Sequence, residues 1–154
     1  TAQNTANNAN SLANTAKTSV DGLSAYLAMS NTGSVSAANI TISAGSISNK
    51  NINYATNSTG SLGKLYGWLF GTNITGATTI TISNLPFSVS EEFDVAGALF
   101  AQDTSTKTLY YPTIHFNTNN TATISFSNSF AGITLNIYFA AVVLFIQNFG
   151  DQPE

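Results

Sequence analysis

Small apolar residues keep a seven-residue beat at the start of this chain. Ala2, Ala6, Ala9, Ala13, Ala16, Val20, Leu23 and Leu27 follow one another at alternating steps of four and three. An α-helix repeats about every 3.6 residues, so this spacing gathers all eight on one stripe. A single helix leaves such a stripe in water, and partner helices are needed to cover it. The pattern predicts a helix from residue 1 to about 29 that runs in an oligomer. Asn4, Asn7, Asn8, Asn10, Asn14 and Gly22 are poor helix formers. The helix is therefore expected to form where neighbouring domains hold its copies together, and Ser30-Asn31-Thr32-Gly33 should end it.

Beyond the helix the hydrophobic pattern shortens towards a period of two. GSVSAANITISA, Gly33 to Ala44, aligns without gaps on GSISNKNINYAT, Gly45 to Thr56, and Gly60-Ser61-Leu62 opens a third copy. A twelve-residue unit is too short to bury its own apolar side. Val35, Ile40, Ile42, Ile47 and Ile52 are expected to fill a narrow core shared between intertwined chains, as a β-helical neck. From Leu65 on, runs rich in β-branched and aromatic residues predict strands at Leu65–Phe70, Thr78–Ser83, Phe93–Gln102, Thr108–Asn117, Thr121–Ser127 and Ile133–Ile146. Asn117-Thr118-Asn119-Asn120 reads as a hairpin turn. Pro86 and Pro112 belong at strand ends or edges. The last run is apolar on both faces, which places it deepest, near a symmetry axis. The expected layout is mainly β: a coiled-coil stalk over 1–31, a β neck over 32–64, and a sandwich or jelly-roll head over 65–154.

Composition narrows the function. Only 7% of residues are charged, the net charge is −3, and there are four basic residues, all lysine. No basic stripe exists to neutralise phosphates, which argues against a nucleic-acid partner. Uncharged Ser, Thr and Asn must supply solubility. Cysteine is absent, which removes disulfides and thiol chemistry and fits assembly in a reducing cytoplasm. Ile133 to Ile146 is shorter than the ~18–20 residues of a spanning helix and is interrupted by Asn136, so membrane insertion is not expected. With no initiating Met and no signal-peptide pattern, the chain reads as a piece of a longer protein.

Candidate chemistry is sparse. His115 is the single histidine. If Ile114 and Phe116 face the core, His115 and Asn117 face outward together, and a neutral imidazole beside an amide suits hydroxyl recognition. Asp94 and Asp103 flank one predicted strand about 30 Å apart, whereas a glycosidase pair needs carboxyls within about 5–10 Å. No Gly-x-Ser-x-Gly elbow is present, and Glu91-Glu92-x-Asp94 reads as a solvated loop and not a metal site. No catalytic residues, cofactor or metal are therefore assigned. Tyr110 and Tyr111 point to opposite sides of a strand, so at most one is exposed. Trp68 is assigned to the core or to neck-to-head packing.

The order of stalk, repeat-built neck and β head resembles the receptor-binding proteins at the tail tips of phages that infect lactic-acid bacteria. In the head, VAGALFAQDTST (Val95–Thr106) followed by IHFNTNNTATI (Ile114–Ile124) is similar to a family stretch of the type G-x-F-A-x-x-D-T-S leading into H-x-D-x-N-x-N. The resemblance implies a homotrimer, joined to the rest of the tail or baseplate through its N-terminus. It further implies attachment of the virion to a host cell-surface saccharide without cleavage. It assigns Asp103 and His115 to a crevice between subunits, with Asn117 where the family has an acid. Tyr110 or Tyr111 would offer a stacking face. This chain departs from the pattern by an insertion over about Lys107 to Thr113, and by Gln102 where the family has arginine. A purely structural trimeric tip is the alternative, and a depolymerase with a shared active site is a third reading.

Overall fold

The computed structural model describes residues 1–145. Helix α1 spans Ala2–Leu27, and Thr1 caps it by accepting from the Asn4 amide through its side-chain oxygen at 3.3 Å. It ends at Ala28, whose backbone is extended while its amide still donates to the Ser24 carbonyl. None of its residues is buried, and Val20, Leu23 and Leu27 of the apolar stripe stay in water. Asn31 and Thr32, expected to stop the helix, already belong to the first strand, Asn31–Ser34.

In chain order the described strands are β1 (Asn31–Ser34), β2 (Ile40–Ile42), β3 (Gly45–Thr56), β4 (Leu62–Gly76), β5 (Thr79–Ile82), β6 (Phe93–Val95), β7 (Leu99–Asp103), β8 (Leu109–Tyr110), β9 (Thr113–Asn117), β10 (Thr121–Ser125) and β11 (Phe130–Phe145). They form two antiparallel sheets, ordered β1-β3-β4-β11-β7-β8 and β2-β5-β10-β9-β6. The inner faces meet in one apolar core. Leu65, Leu69, Leu135 and Ile137 come from the larger sheet, and Ile80, Ile82, Ile114 and Ile124 from the smaller. Each fully buried aliphatic side chain contributes about 1.5–3 kcal/mol, so this layer is the main source of stability.

Residues 32–64 do not stand apart as a neck. β1 and β3 belong to the larger sheet and β2 to the smaller, and Ile40 and Ile52 lie in the same core as the head. The twelve-residue similarity does not give equivalent units either. Gly45–Thr56 is one continuous strand, whereas the first copy breaks into the end of β1, a 3-10 turn at Ala37–Asn39 and then β2. Lys50 helps fix this break, because its ammonium donates to the carbonyls of Ala37 and Ile40 at 3.1 and 2.6 Å.

Two expected long strands are each split. Phe93–Gln102 divides into β6 and β7, and Thr108–Asn117 divides into β8 and β9, with one piece of each in either sheet. β6 pairs with β9 and β7 with β8, so the whole segment is a single hairpin folded over the sandwich edge. The folds fall at Gly97, whose φ of 76° excludes most other residues, and at Pro112, which lacks a ladder donor. Asp94 and Asp103 therefore lie on different sheets, not at the two ends of one strand.

β11 starts at Phe130, and Ile146 of the expected strand lies outside the described residues. It runs centrally between β4 and β7, with Leu135, Ile137 and Phe139 inward and Tyr138 outward. Asn117↔Thr121 closes the expected hairpin, with Asn120 at φ 62°.

Candidate functional site

The two sheets turn unlike outer faces to solvent. On the smaller sheet, alternation sends Ile, Ala and Phe inward and leaves hydroxyl, amide, imidazole and carboxylate groups outside. One cross-strand row, Thr41–Thr81–Thr123–His115–Asp94, crosses all five strands in register. Asn117 and Thr121 continue the face beside it, and the Asn117 amide donates to the Thr121 hydroxyl at 2.9 Å.

His115 is held at the end of this row. Its Nδ1 lies 2.8 Å from Asp94 Oδ1, its directly opposed neighbour on β6, and its Nε2 lies 3.8 Å from Glu92 Oε2. A carboxylate at that distance accepts from Nδ1–H. In the neutral tautomer that carries this proton, Nε2 is an acceptor with a second carboxylate beside it. The imidazole is about one-third exposed. Hydroxyl donors, an imidazole acceptor and carboxylate acceptors together can bind a polyol by paired donor–acceptor bonds. Sequence reasoning placed His115 and Asn117 on one outward face, as the structure does, but did not bring Asp94 and Glu92 to them. No local pattern carried these acids to the ring: Asp94 meets His115 only because β6 pairs with β9.

Asp103 is elsewhere. It is buried at the tip of the β7–β8 hairpin, where one carboxylate oxygen accepts from the amides of Ser105 at 2.7 Å and Thr106 at 3.1 Å. These bonds hold its carboxyl below the ordinary carboxylate range, the Ser105 amide contributing most and the Thr106 amide next. Within one chain Asp103 and His115 are on different sheets, and Asp103 serves its own turn. The sequence Asp103-Thr-Ser-Thr between two strands carries that signal, since Asp favours side-chain-to-backbone turns two residues on.

Tyr110 and Tyr111 do point to opposite sides. Tyr110 packs edge-on against Phe130 with ring centroids 5.1 Å apart, while Tyr111 is 67% exposed. Tyr111 is the one free to stack, two residues before Thr113 of the hydroxyl face. Trp68 departs from expectation, for its side chain lies on the outer face of the larger sheet, between inward-facing Leu65 and Leu69 neighbours, and is 36% exposed.

No family model, curated protein or solved structure matches this chain. Among the described residues, no helix is long and apolar enough to cross a membrane, and no three His, Cys, Asp or Glu side chains converge as a metal site.

Proposed function

We propose that this chain is the tip of a homotrimeric phage tail fibre that attaches the virion to a host cell-surface saccharide without cleaving it. The observation that carries this reading is the outer face of the smaller sheet. Its aligned row of threonine hydroxyls ends at His115, with Asp94 and Glu92 beside the ring. In this reading the saccharide hydroxyls donate to His115 Nε2 and Glu92, accept from the threonines, and bond with the Asn117 amide. Tyr111 supplies an apolar ring face. The head is a jelly-roll-like sandwich. α1 is the stalk, its exposed seven-residue seam covered by the other two copies, and the N-terminal end leads to the rest of the tail or baseplate. Each head binds weakly, and several heads on one virion supply the attachment by avidity.

The test is retention of the protein on immobilised cell-wall polysaccharide from lactic-acid bacteria, with His115→Ala and Asp94→Asn alongside. Retention should fall severalfold in both variants and change little with salt, because no counterion release drives it. No new reducing ends should appear. Undiminished retention in the variants would move the site off this face. No retention of the parent protein would leave a structural fibre tip, and reducing-end release would make it a depolymerase.

A further inference from the structure

The outer face of the larger sheet is aromatic. Trp68 and Phe70 on β4, Tyr138 on β11 and Phe100 on β7 form a contiguous band, with Trp68↔Tyr138 and Tyr138↔Phe100 directly paired across strands. The row through it, Asn51–Trp68–Tyr138–Phe100, and the flanking pairs Asn49↔Phe70 and Asn136↔Gln102 contain no charged residue. Phe100 and Trp68 remain 39% and 36% exposed. An aromatic band open to water in the middle of a six-stranded sheet marks a contact surface.

We infer that this face is covered by a second copy of the same chain, an assignment that rests on the homo-oligomeric reading given above. Three observations select that occupant. First, the rings use one another's faces: Phe100 and Tyr138 stack at 4.7 Å and 14°, and Phe70 meets Tyr138 edge-on at 5.1 Å. Trp68 also packs on Phe70 at 5.5 Å and 35°, so all four rings lean on one another and leave less open face than sugar stacking needs. Second, the band is neutral, so two copies of a chain with net charge −3 can bring it together without opposing like charges. Third, the stalk enters the head at this sheet. α1 leads directly into β1, its edge strand, and the Tyr26 carbonyl is held by Asn57 in the β3–β4 turn. Copies joined along the exposed seam of α1 therefore meet next to the larger sheet. The hydroxyl face of the smaller sheet stays outward, free for ligand.

Trp68 is the single tryptophan, so its fluorescence reports on this face alone. The experiment is acrylamide quenching of the unmodified chain over a dilution series, with native mass from light scattering on the same samples. At concentrations where the mass is a multiple of one chain, Trp68 should emit to the blue and quench severalfold less. Protection should disappear with the same midpoint as the assembly. Phe100→Glu, which buries an unpaired carboxylate in the contact, should shift that midpoint to higher concentration. An assembled protein with fully quenchable Trp68, or a monomer at every concentration, would overturn the inference. So would a monomer in which added polysaccharide, and not a second copy, protects Trp68. An assembled protein with quenchable Trp68 that still binds polysaccharide loses this contact alone. Retention lost with Trp68 still protected loses the saccharide site alone. A monomer at every concentration removes the trimer and this contact together.

Discussion

The buried side-chain amide of Asn57 donates a 2.7 Å hydrogen bond to the backbone carbonyl of Tyr26, which ties the last turn of α1 to the head. The same side chain accepts from the amides of Ser61 and Leu62 at 2.9 and 3.2 Å, so one residue closes the β3–β4 turn and anchors the helix. Asn57→Ala strands these buried groups and should lower stability by on the order of 2–3 kcal/mol in urea unfolding. Asn57→Asp keeps the acceptor and loses the donor, placing a carboxylate against the Tyr26 carbonyl. It should loosen the helix more than the turn, seen as faster proteolysis near Ala28 with the head still protected.

Asn136 interrupts the longest apolar run of the chain because it sits at a bulge. Leu135 pairs with Thr72 and Ile137 with Leu69, so Asn136 alone faces both Phe70 and Gly71. Its Oδ1 accepts from the Gly71 amide at 3.1 Å, the donor that the bulge leaves unpaired. Asn136→Leu, although better suited to strand propensity, should destabilise by about 1–3 kcal/mol. A denaturant midpoint equal to or above that of the parent chain would remove Asn136 from this role.

Asp103 should make the fold acid-sensitive. Its carboxyl titrates lower when folded than when unfolded, because the Ser105 and Thr106 amides favour the charged form. The unfolded chain therefore binds more protons, and the turn's contribution is complete above the unfolded value of about 3.9. It is lost as pH falls through the lower folded value. In Asp103→Asn, which still accepts from the two amides, the dependence of thermal stability on pH below about 4 should flatten. An unchanged slope would assign the acid sensitivity to another group.

Gly22 sits inside α1 with open space where a Cβ would stand. Alanine there removes a helix penalty of about 1 kcal/mol per chain. Gly22→Ala should raise helical content by circular dichroism and shift assembly to lower concentration. Raised helicity without a shift in assembly would separate the helix from the oligomer contact.

How much was legible follows from where the information is local. The helix, the Asn117–Asn120 hairpin and most strands announce themselves through spacing, turn residues and β-branched runs, which are properties of neighbours in sequence. The bends at Gly97 and Pro112 hid a change of sheet inside what reads as continuous strand, so Asp94 and Asp103 were placed on one element. The pairing of Asp94 with His115 spans 21 positions and depends on strand order, which no local pattern encodes. Tryptophan's burial habit points Trp68 to the core or to packing between segments, although strict alternation from Leu65 and Leu69 sends it outward. The repeat at residues 33–56 is a similarity of letters: Ser36-Ala-Ala-Asn turns where Ser48-Asn-Lys-Asn continues a strand.

The central claim is that this chain works as a trimer, and the native mass of the intact chain tests it most directly. Light scattering during size exclusion should give a mass near three times 16.1 kDa, falling towards one chain on dilution. A particle of 16.1 kDa at every concentration would contradict the account, because the seam of α1 would then have no partner.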